Sequence, residues 1–209
     1  MAAVASAYGF KPVNLIGGLP YAGSTRSIPI ASGYGTNIFY GSLVYILATG
    51  YLAICTGTGA DATTNDFPTG STSVSGSIGV FVGCSYTSPT TKQKMFSQYW
   101  PTGTAASDAV AYVVDDERCV FQVQADGPVA IAKLGENTFL AAAQSTSTGS
   151  TATGNSTSAV SATSKATTAA FRIVGFVDMV GFSVAGDAYT DILVKFNPGY
   201  HSYTTAVGL

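Results

Sequence analysis

The sequence predicts an all-β fold, a single barrel or sandwich with long Gly/Ser/Thr-rich loops or arms and at most one short helix. Its apolar residues gather in short runs rich in Val, Ile, Tyr and Phe, which is typical of strands. Gly, Pro, Asn and Asp bound these runs, and the chain has 24 glycines and 8 prolines. No long segment carries the apolar spacing of an amphipathic helix. A chain of many short strands separated by turns forms a barrel or a sandwich.

The first strands lie in the N-terminal quarter. Residues 27–30 form a strand that leads towards a second one at 37–40. Residues 43–47 and 51–55 are expected to pair as a hairpin, because Ala48, Thr49 and Gly50 suit a three-residue loop with glycine in the left-handed position.

A membrane-spanning helix is the alternative for residues 38–55. The run is uncharged, as is all sequence between Arg26 and Asp61, and it approaches the ~20 residues that a spanning helix needs. However, Gly41 and Gly50 cut it into strand-length pieces, and flanking basic residues that would orient a span are nearly absent. We therefore predict the hairpin.

The remaining strands follow at turn-bounded intervals. Residues 78–86 form a long strand in which Gly79 and Gly83 mark a bulge or a close backbone approach. Further strands are expected at 93–100, 109–114, 119–124, 171–177 and 191–196. The strands 109–114 and 119–124 are predicted to form a hairpin across the polar link 115–118. Residues 136–144, which contain three consecutive alanines, are the one helical candidate.

Two segments break this rhythm of strands. Residues 56–77 are expected to form a long surface loop. Residues 144–168 are almost entirely Ser, Thr, Ala and Gly and are predicted to be an inserted arm or loop, either a flexible tract or an arm that orders against a neighbour. A domain boundary there would leave a marginal C-terminal core. We therefore predict one domain, 1–209, with an N-terminal arm at 1–26.

The charge content is low. Charged residues make up 10% of the chain, against about 25% in an ordinary domain, and the net charge is −2. The nine basic residues are dispersed, so no nucleic acid partner is expected. Cys55, Cys84 and Cys119 form an odd set without C-x-x-C spacing, and we expect them to be buried, reduced thiols.

The search for catalytic chemistry predicts a protein that is not an enzyme and holds no cofactor or metal. His201 is the only histidine, and no G-x-S-x-G elbow supplies a nucleophile for it. Asp187 and Asp191 lack the context of a paired-carboxylate site. The acidic run 115–117 could take a hard cation, but a solvated turn is the simpler interpretation.

Several short motifs resemble one family of proteins. They are FKPVNLIGG at 10–18, GSTR at 23–26, IPIASGY at 28–34, GVFVG at 79–83, QYWP at 98–101, YVVDD at 112–116, FQVQADG at 121–127, RIVGFVD at 172–178 and DILVKFN at 191–197. Together these motifs resemble small structural proteins of tailed bacteriophages. The resemblance implies a virion protein on the capsid surface, a head decoration or cement protein with a β-tulip-like or barrel fold.

The resemblance also implies partners. They are the major capsid protein and further copies of the chain, in clusters that are often trimeric; no membrane partner is expected. From residue type we predict five interface aromatics: Tyr8, Tyr21, Tyr34, Tyr200 and Tyr203. Two alternatives stay open: another phage component of the tail, neck or fibre, and a carbohydrate-binding β module in which Trp100 and tyrosines stack on sugars.

Overall fold

Two antiparallel β-sheets make up the part of the chain that the structure describes. The structure is a computed structural model, and it describes residues 4–59, 76–165, 167–177 and 183–204. The first sheet has five strands in the order β1-β8-β11-β10-β9. These strands are β1 (Lys11–Leu15), β8 (Cys119–Gln124), β9 (Asn137–Thr138), β10 (Phe171–Phe176) and β11 (Asp191–Phe196).

The second sheet has six strands. Five of them follow the order β2-β7-β5-β3-β4, and β6 also pairs with β5. They are β2 (Arg26–Pro29), β3 (Leu43–Ile46), β4 (Leu52–Ile54), β5 (Gly79–Thr87), β6 (Lys94–Ser97) and β7 (Val110–Val114). Neither sheet closes on itself within the described residues, so the all-β prediction is confirmed in its sandwich-like form.

The two sheets share the larger apolar core. Leu43, Val80 and Val114 of the second sheet pack in one buried cluster with Phe121 and Phe171 of the first sheet. Alternate residues of a strand point to opposite faces, so Phe81 enters a second buried cluster on the far side of its sheet. That cluster also contains Trp100, which is fully buried. The second sheet is therefore covered on both faces along much of its area.

Two predictions about glycines are confirmed, one for a hairpin loop and one for a strand. β3 and β4 pair antiparallel, and Gly50 closes their loop with φ of 81°. The pairing of β5 with β7 shifts register between Phe81 and Gly83. A Cβ built on Gly79 would lie 2.0 Å from the carbonyl oxygen of Val114, which is the close backbone approach that the glycine permits.

The predicted hairpin at 109–124 is wrong, although both strands exist. β7 belongs to the six-stranded sheet and β8 to the five-stranded sheet. Both edges of β7 are occupied, by β2 and β5, and both edges of β8 are occupied, by β1 and β11. The link 115–118 therefore crosses between the sheets.

The predicted helix at 136–144 is also wrong. Asn137 and Thr138 form β9, which pairs with β10. The helical content of the described residues is two 3₁₀ turns of three residues each, at Ile131–Lys133 and Ser202–Thr204. The expected strand at 37–40 is reduced to two isolated bridges, from Ile38 to Trp100 and from Tyr40 to Asn155.

The segment 144–168 lies against its own chain wherever the structure describes it. Val160 is fully buried in the larger core, and its backbone bonds to that of Gln124 and Asp126. Ser156 and Ser158 are buried, and their hydroxyls bond to each other at 2.9 Å. Small neutral side chains permit this burial because their few polar groups find partners.

The N-terminal residues are also tied to the domain. Phe10 is fully buried in the larger core, and β1 is the terminal strand of the five-stranded sheet. Ahead of them, the side-chain amide of Gln124 bonds the backbone of Val4 and Ser6.

The predicted loop at 56–77 lies mostly outside the described residues. No helix in the described ranges has the length and apolar character needed to cross a bilayer.

Candidate interaction surfaces

Two of the five predicted interface tyrosines are held inside the fold. Tyr200 is 5% exposed and belongs to the larger core cluster. Tyr34 is half-buried, and its hydroxyl oxygen accepts a hydrogen bond from the backbone N–H of Ile54 at 3.0 Å. Burial raises the pKa of Tyr34. Tyr200 thus offers almost no surface to a partner, and Tyr34 only part of its ring.

The other three tyrosines are nearer the surface. Tyr8 donates to Asp191 at 3.0 Å, and the Lys11 ammonium lies 4.1 Å from the centre of its ring. Tyr21 donates to the carbonyl oxygen of Ser24 at 2.9 Å, and burial raises its pKa to about 12. Each of these rings is held by a neighbour within its own chain.

Tyr203 belongs to a small polar cluster with Asp115, in the link between the sheets, and Arg26 of β2. It donates to Asp115 at 2.9 Å, and Asp115 also pairs with Arg26, whose guanidinium lies 5.3 Å from the Tyr203 ring. Burial and the bond to Asp115 raise the pKa of Tyr203 to about 12. Asp115 also raises the pKa of Tyr21, so these two tyrosines share one region, whereas Tyr8 contacts β11 instead.

His201 is buried. It is 1% exposed, its Nδ1 accepts from the backbone N–H of Tyr203 at 3.3 Å, and its ring packs edge-on against Phe196. Burial lowers the pKa of His201, and the charges of Glu117, Asp115 and Asp116 oppose that shift. The net effect favours the neutral form of the ring.

The two candidate catalytic aspartates serve local structure. Asp187 accepts from the backbone N–H of Val184 at 3.1 Å, and Asp191 accepts from Tyr8. In the acidic run, Asp116 accepts from the N–H of Arg118 at 2.8 Å, as expected of a turn. Within residues 4–59, 76–165, 167–177 and 183–204, no three His, Cys, Asp or Glu side chains stand close enough to hold a metal ion.

The cysteines follow the sequence expectation. Cys55, Cys84 and Cys119 are all buried and unpaired to one another. Burial raises the pKa of Cys84 and Cys119 to about 12 and raises that of Cys55 as well. Thiols in this state are poor nucleophiles and poor metal ligands.

Trp100 cannot stack on a sugar as the sequence alternative supposed. It is fully buried, its indole N–H donates to the carbonyl oxygen of Tyr34 at 3.3 Å, and Tyr86 packs edge-on against it.

Sequence reasoning missed a surface at the end of β1, here called the β1 tip: Val13, Ile16 and Leu19. The chain turns back after β1, with the N–H of Leu15 donating to the carbonyl oxygen of Leu19 at 2.7 Å. Gly17 and Gly18, both at positive φ, form the turn. All three tip side chains are exposed, and Leu19 is 64% exposed. The motif at 10–18 contains this turn, but sequence alone did not indicate which of its apolar residues face outward.

A second missed surface is a groove beside β6, here called the β6 groove. It has a volume of about 480 Å³ and is lined by Tyr40, Val82, Gly83, Cys84, Phe96, Ser97, Gln98 and Tyr112. Phe96, on the short strand β6, is 75% exposed. The alternation in 93–100 predicted a strand but not which face of it lies in solvent.

Comparison of the chain with protein-family models, with curated proteins and with solved structures finds no match.

Acidification is expected to weaken the fold through His201. Its folded pKa lies below the ordinary value of about 6.5, so its contribution to the free energy of unfolding is complete above that pH. The contribution is lost as the pH falls from the unfolded pKa through the lower folded pKa. Urea unfolding at about pH 7.5 and about pH 5.5, on either side of that ordinary value, measures the loss.

The matched variant is His201→Asn, which keeps an acceptor for the Tyr203 N–H and does not titrate. The charged and polar groups around His201 are Asp115, Asp116, Glu117, Arg118, Lys195 and Tyr203, and all of them are present in both proteins. We expect a smaller loss of stability on acidification in His201→Asn. An equal loss in both proteins would contradict the assignment.

Proposed function

We propose that this protein is a non-enzymatic structural component of a tailed-phage particle. Its specific role would be that of a head cement or decoration protein that binds the major capsid protein on the capsid surface. The sequence motifs supply the family resemblance. The low charge suits a surface that is permanently buried against other proteins, because each unpaired buried charge would cost several kcal/mol.

The β1 tip is the observation that carries the proposal. It exposes Val13 of the terminal strand β1 together with Ile16 and Leu19 of the turn that follows, and the bond between Leu15 and Leu19 holds that turn. Exposed apolar side chains grouped on one edge are typical of a protein interaction site. A tight turn presents them with little conformational freedom left to lose on binding.

Additional copies of the chain are the second proposed partner. A cement protein at symmetric positions of a shell contacts other copies of itself. In clusters such as trimers, several weak contacts with the shell act together and give strong attachment.

The direct test is the copy number of the chain in purified particles, measured by quantitative mass spectrometry. Hundreds of copies in each particle would support a cement or decoration protein. A dozen or fewer would contradict that role and indicate a tail, neck or fibre component. Absence from particles would overturn both structural roles.

A variant pair tests the surface itself. We expect Ile16→Ser combined with Leu19→Ser to weaken binding to shells that lack the protein by at least about tenfold, because apolar interface anchors each contribute more than about 1 kcal/mol. Binding is measured by co-sedimentation of the purified variant with such shells. The changes lie in an exposed turn, so the fold should tolerate them.

The matched control is Ile131→Ser combined with Leu134→Ser. It changes the same residue types at the same spacing, with exposures of 66% and 52% against 44% and 64% for Ile16 and Leu19. Unchanged binding by this control, with loss in the β1-tip variant, would support the proposal. Equal binding by all variants would contradict the β1 tip as the docking surface.

A further inference from the structure

The β6 groove lies on the face of the six-stranded sheet that carries Tyr112. Phe96 of β6 is paired in register with Ser85 of β5, and the Ser85 hydroxyl accepts from that of Tyr112 at 3.1 Å. Side chains paired in this way share one face of a sheet. Phe96 and Tyr112 therefore flank the same surface, and Tyr40 also lines the groove.

One residue of the groove between these rings has no side chain. Gly83 of β5 is paired in register with Tyr112 and lines the groove. It has φ of 143°, and a Cβ there would lie 3.2 Å from the carbonyl oxygen of Ser97. A glycine at this position lets a flat ligand approach the backbone closely.

The polar groups of the groove are amides and hydroxyls. Gln98 donates from Nε2 to Oδ1 of Asn155 at 2.6 Å, which leaves Gln98 Oε1 and Asn155 Nδ2 without a bond to any described residue. The hydroxyls of Ser97 and Tyr112 bond within the chain. No charged side chain is found among the described residues that line the groove.

We propose that the β6 groove binds a neutral saccharide, with the sugar ring stacked on Phe96 and Tyr112. The face of an aromatic ring is electronegative and attracts the partly positive C–H groups on the flat side of a pyranose. Adjacent sugar hydroxyls both donate and accept. Gln98 Oε1 offers an acceptor in the lining, and Asn155, which is bonded to Gln98 without itself lining the groove, offers a donor next to it. The volume lies within the usual range of small-ligand sites, about 300–1,000 Å³.

The lining disfavours charged ligands. A nucleic acid would stack on the same rings, but its phosphates need basic side chains that the described lining lacks. A charged glycan would have no counter-charge there for the same reason. The proposal does not depend on the β1 tip or on a place in a phage particle.

The test is titration of the ¹⁵N-labelled full chain with neutral oligosaccharides, namely cellohexaose, maltohexaose and N-acetylchitohexaose, followed by amide chemical shifts. We expect at least one of them to shift Gly83, Gln98 and Tyr112 with a Kd of about 1 mM or tighter. The variant Phe96→Ala should weaken that binding by at least about fivefold, the loss typical of one stacking ring. Phe96 is largely exposed, so the variant should fold.

The control variant is Met95→Ala. Met95 precedes Phe96 in β6, is 40% exposed and is paired with Tyr86, whose ring belongs to the cluster on the opposite face. Its binding should equal that of the unchanged chain. No shift with any of the three sugars, or equal binding by Phe96→Ala, would overturn the proposal, as would groove shifts produced by an apolar peptide and not by a sugar.

Discussion

Replacing Gly79 with alanine is expected to lower the free energy of unfolding by about 3–5 kcal/mol, combining overpacking and backbone strain. The added Cβ would lie 2.0 Å from the carbonyl oxygen of Val114 and 3.0 Å from Cα of Asp115. Both are backbone atoms at the end of β7, where β5 and β7 are paired. Gly79 also pairs with Val44 of β3 on its other side. Neither neighbouring strand can move away without breaking pairing.

Two glycine variants separate the clash from the conformational cost. Gly103 has φ of 70° and no neighbour near its Cβ position, so Gly103→Ala should cost only the strain, about 1 kcal/mol. Gly35 has neither a clash nor a positive φ, so Gly35→Ala should change stability by less than about 0.5 kcal/mol. Urea unfolding followed by the fluorescence of Trp100, the one tryptophan and fully buried, measures all three. A cost for Gly79→Ala no larger than that for Gly103→Ala would contradict the close approach.

Gly79 also shows what sequence could predict. Glycine inside a run of Val, Phe and Ile predicts a close backbone approach, because glycine otherwise only weakens a strand. The Gly50 loop is predictable for the same reason: φ, loop length and residue type are all local properties. Strand positions follow likewise, since β-branched and aromatic residues favour extended backbone wherever the strand later pairs.

Which strands pair is decided by competition among strands from distant parts of the chain, and no local sequence pattern shows the outcome. The four residues between β7 and β8 have the length of a hairpin loop, yet β2 and β5 occupy both edges of β7. The helix expected at 136–144 fails for a related reason. Asn137 is a buried strand residue whose Oδ1 accepts from Arg172 at 3.2 Å and from Asn197 at 2.9 Å. Long-range contacts of this kind override the weak helix propensity of the alanines at 141–143.

For the candidate surfaces, too, the sequence shows one property of each residue and not the other. Residue type identifies aromatics that could anchor an interface, but exposure depends on which face of the fold each one meets. Tyr200 is in the core and Phe96 is in solvent, although both are aromatic residues close to polar neighbours in sequence. The β6 groove exists because Phe96, Gly83 and Tyr112 come together from three strands, β6, β5 and β7.

Replacing Gln144 with leucine should also cost about 3–5 kcal/mol. Gln144 is 2% exposed, and its amide makes four bonds. Oε1 accepts from the N–H of Leu43 at 2.9 Å and from the hydroxyl of Ser158 at 3.3 Å, while Nε2 donates to the carbonyl oxygens of Leu43 at 3.1 Å and Cys55 at 3.0 Å. Leucine would keep the volume and leave the Leu43 N–H and Cys55 C=O buried without these partners, at about 1–3 kcal/mol for each group.

The matched control is Gln98→Leu, because Gln98 is exposed and its amide makes one bond, to Asn155. Its cost should stay within about 0.5 kcal/mol. Urea unfolding gives both values, and amide hydrogen exchange at Leu43 should accelerate in Gln144→Leu because that N–H loses its acceptor. Gln144 begins the segment 144–168, so this amide attaches the segment to β3 and to the chain just after β4. Equal costs for the two glutamine variants, with Leu43 exchange unchanged, would show that the segment holds to the sheet by other contacts, such as those of Val160.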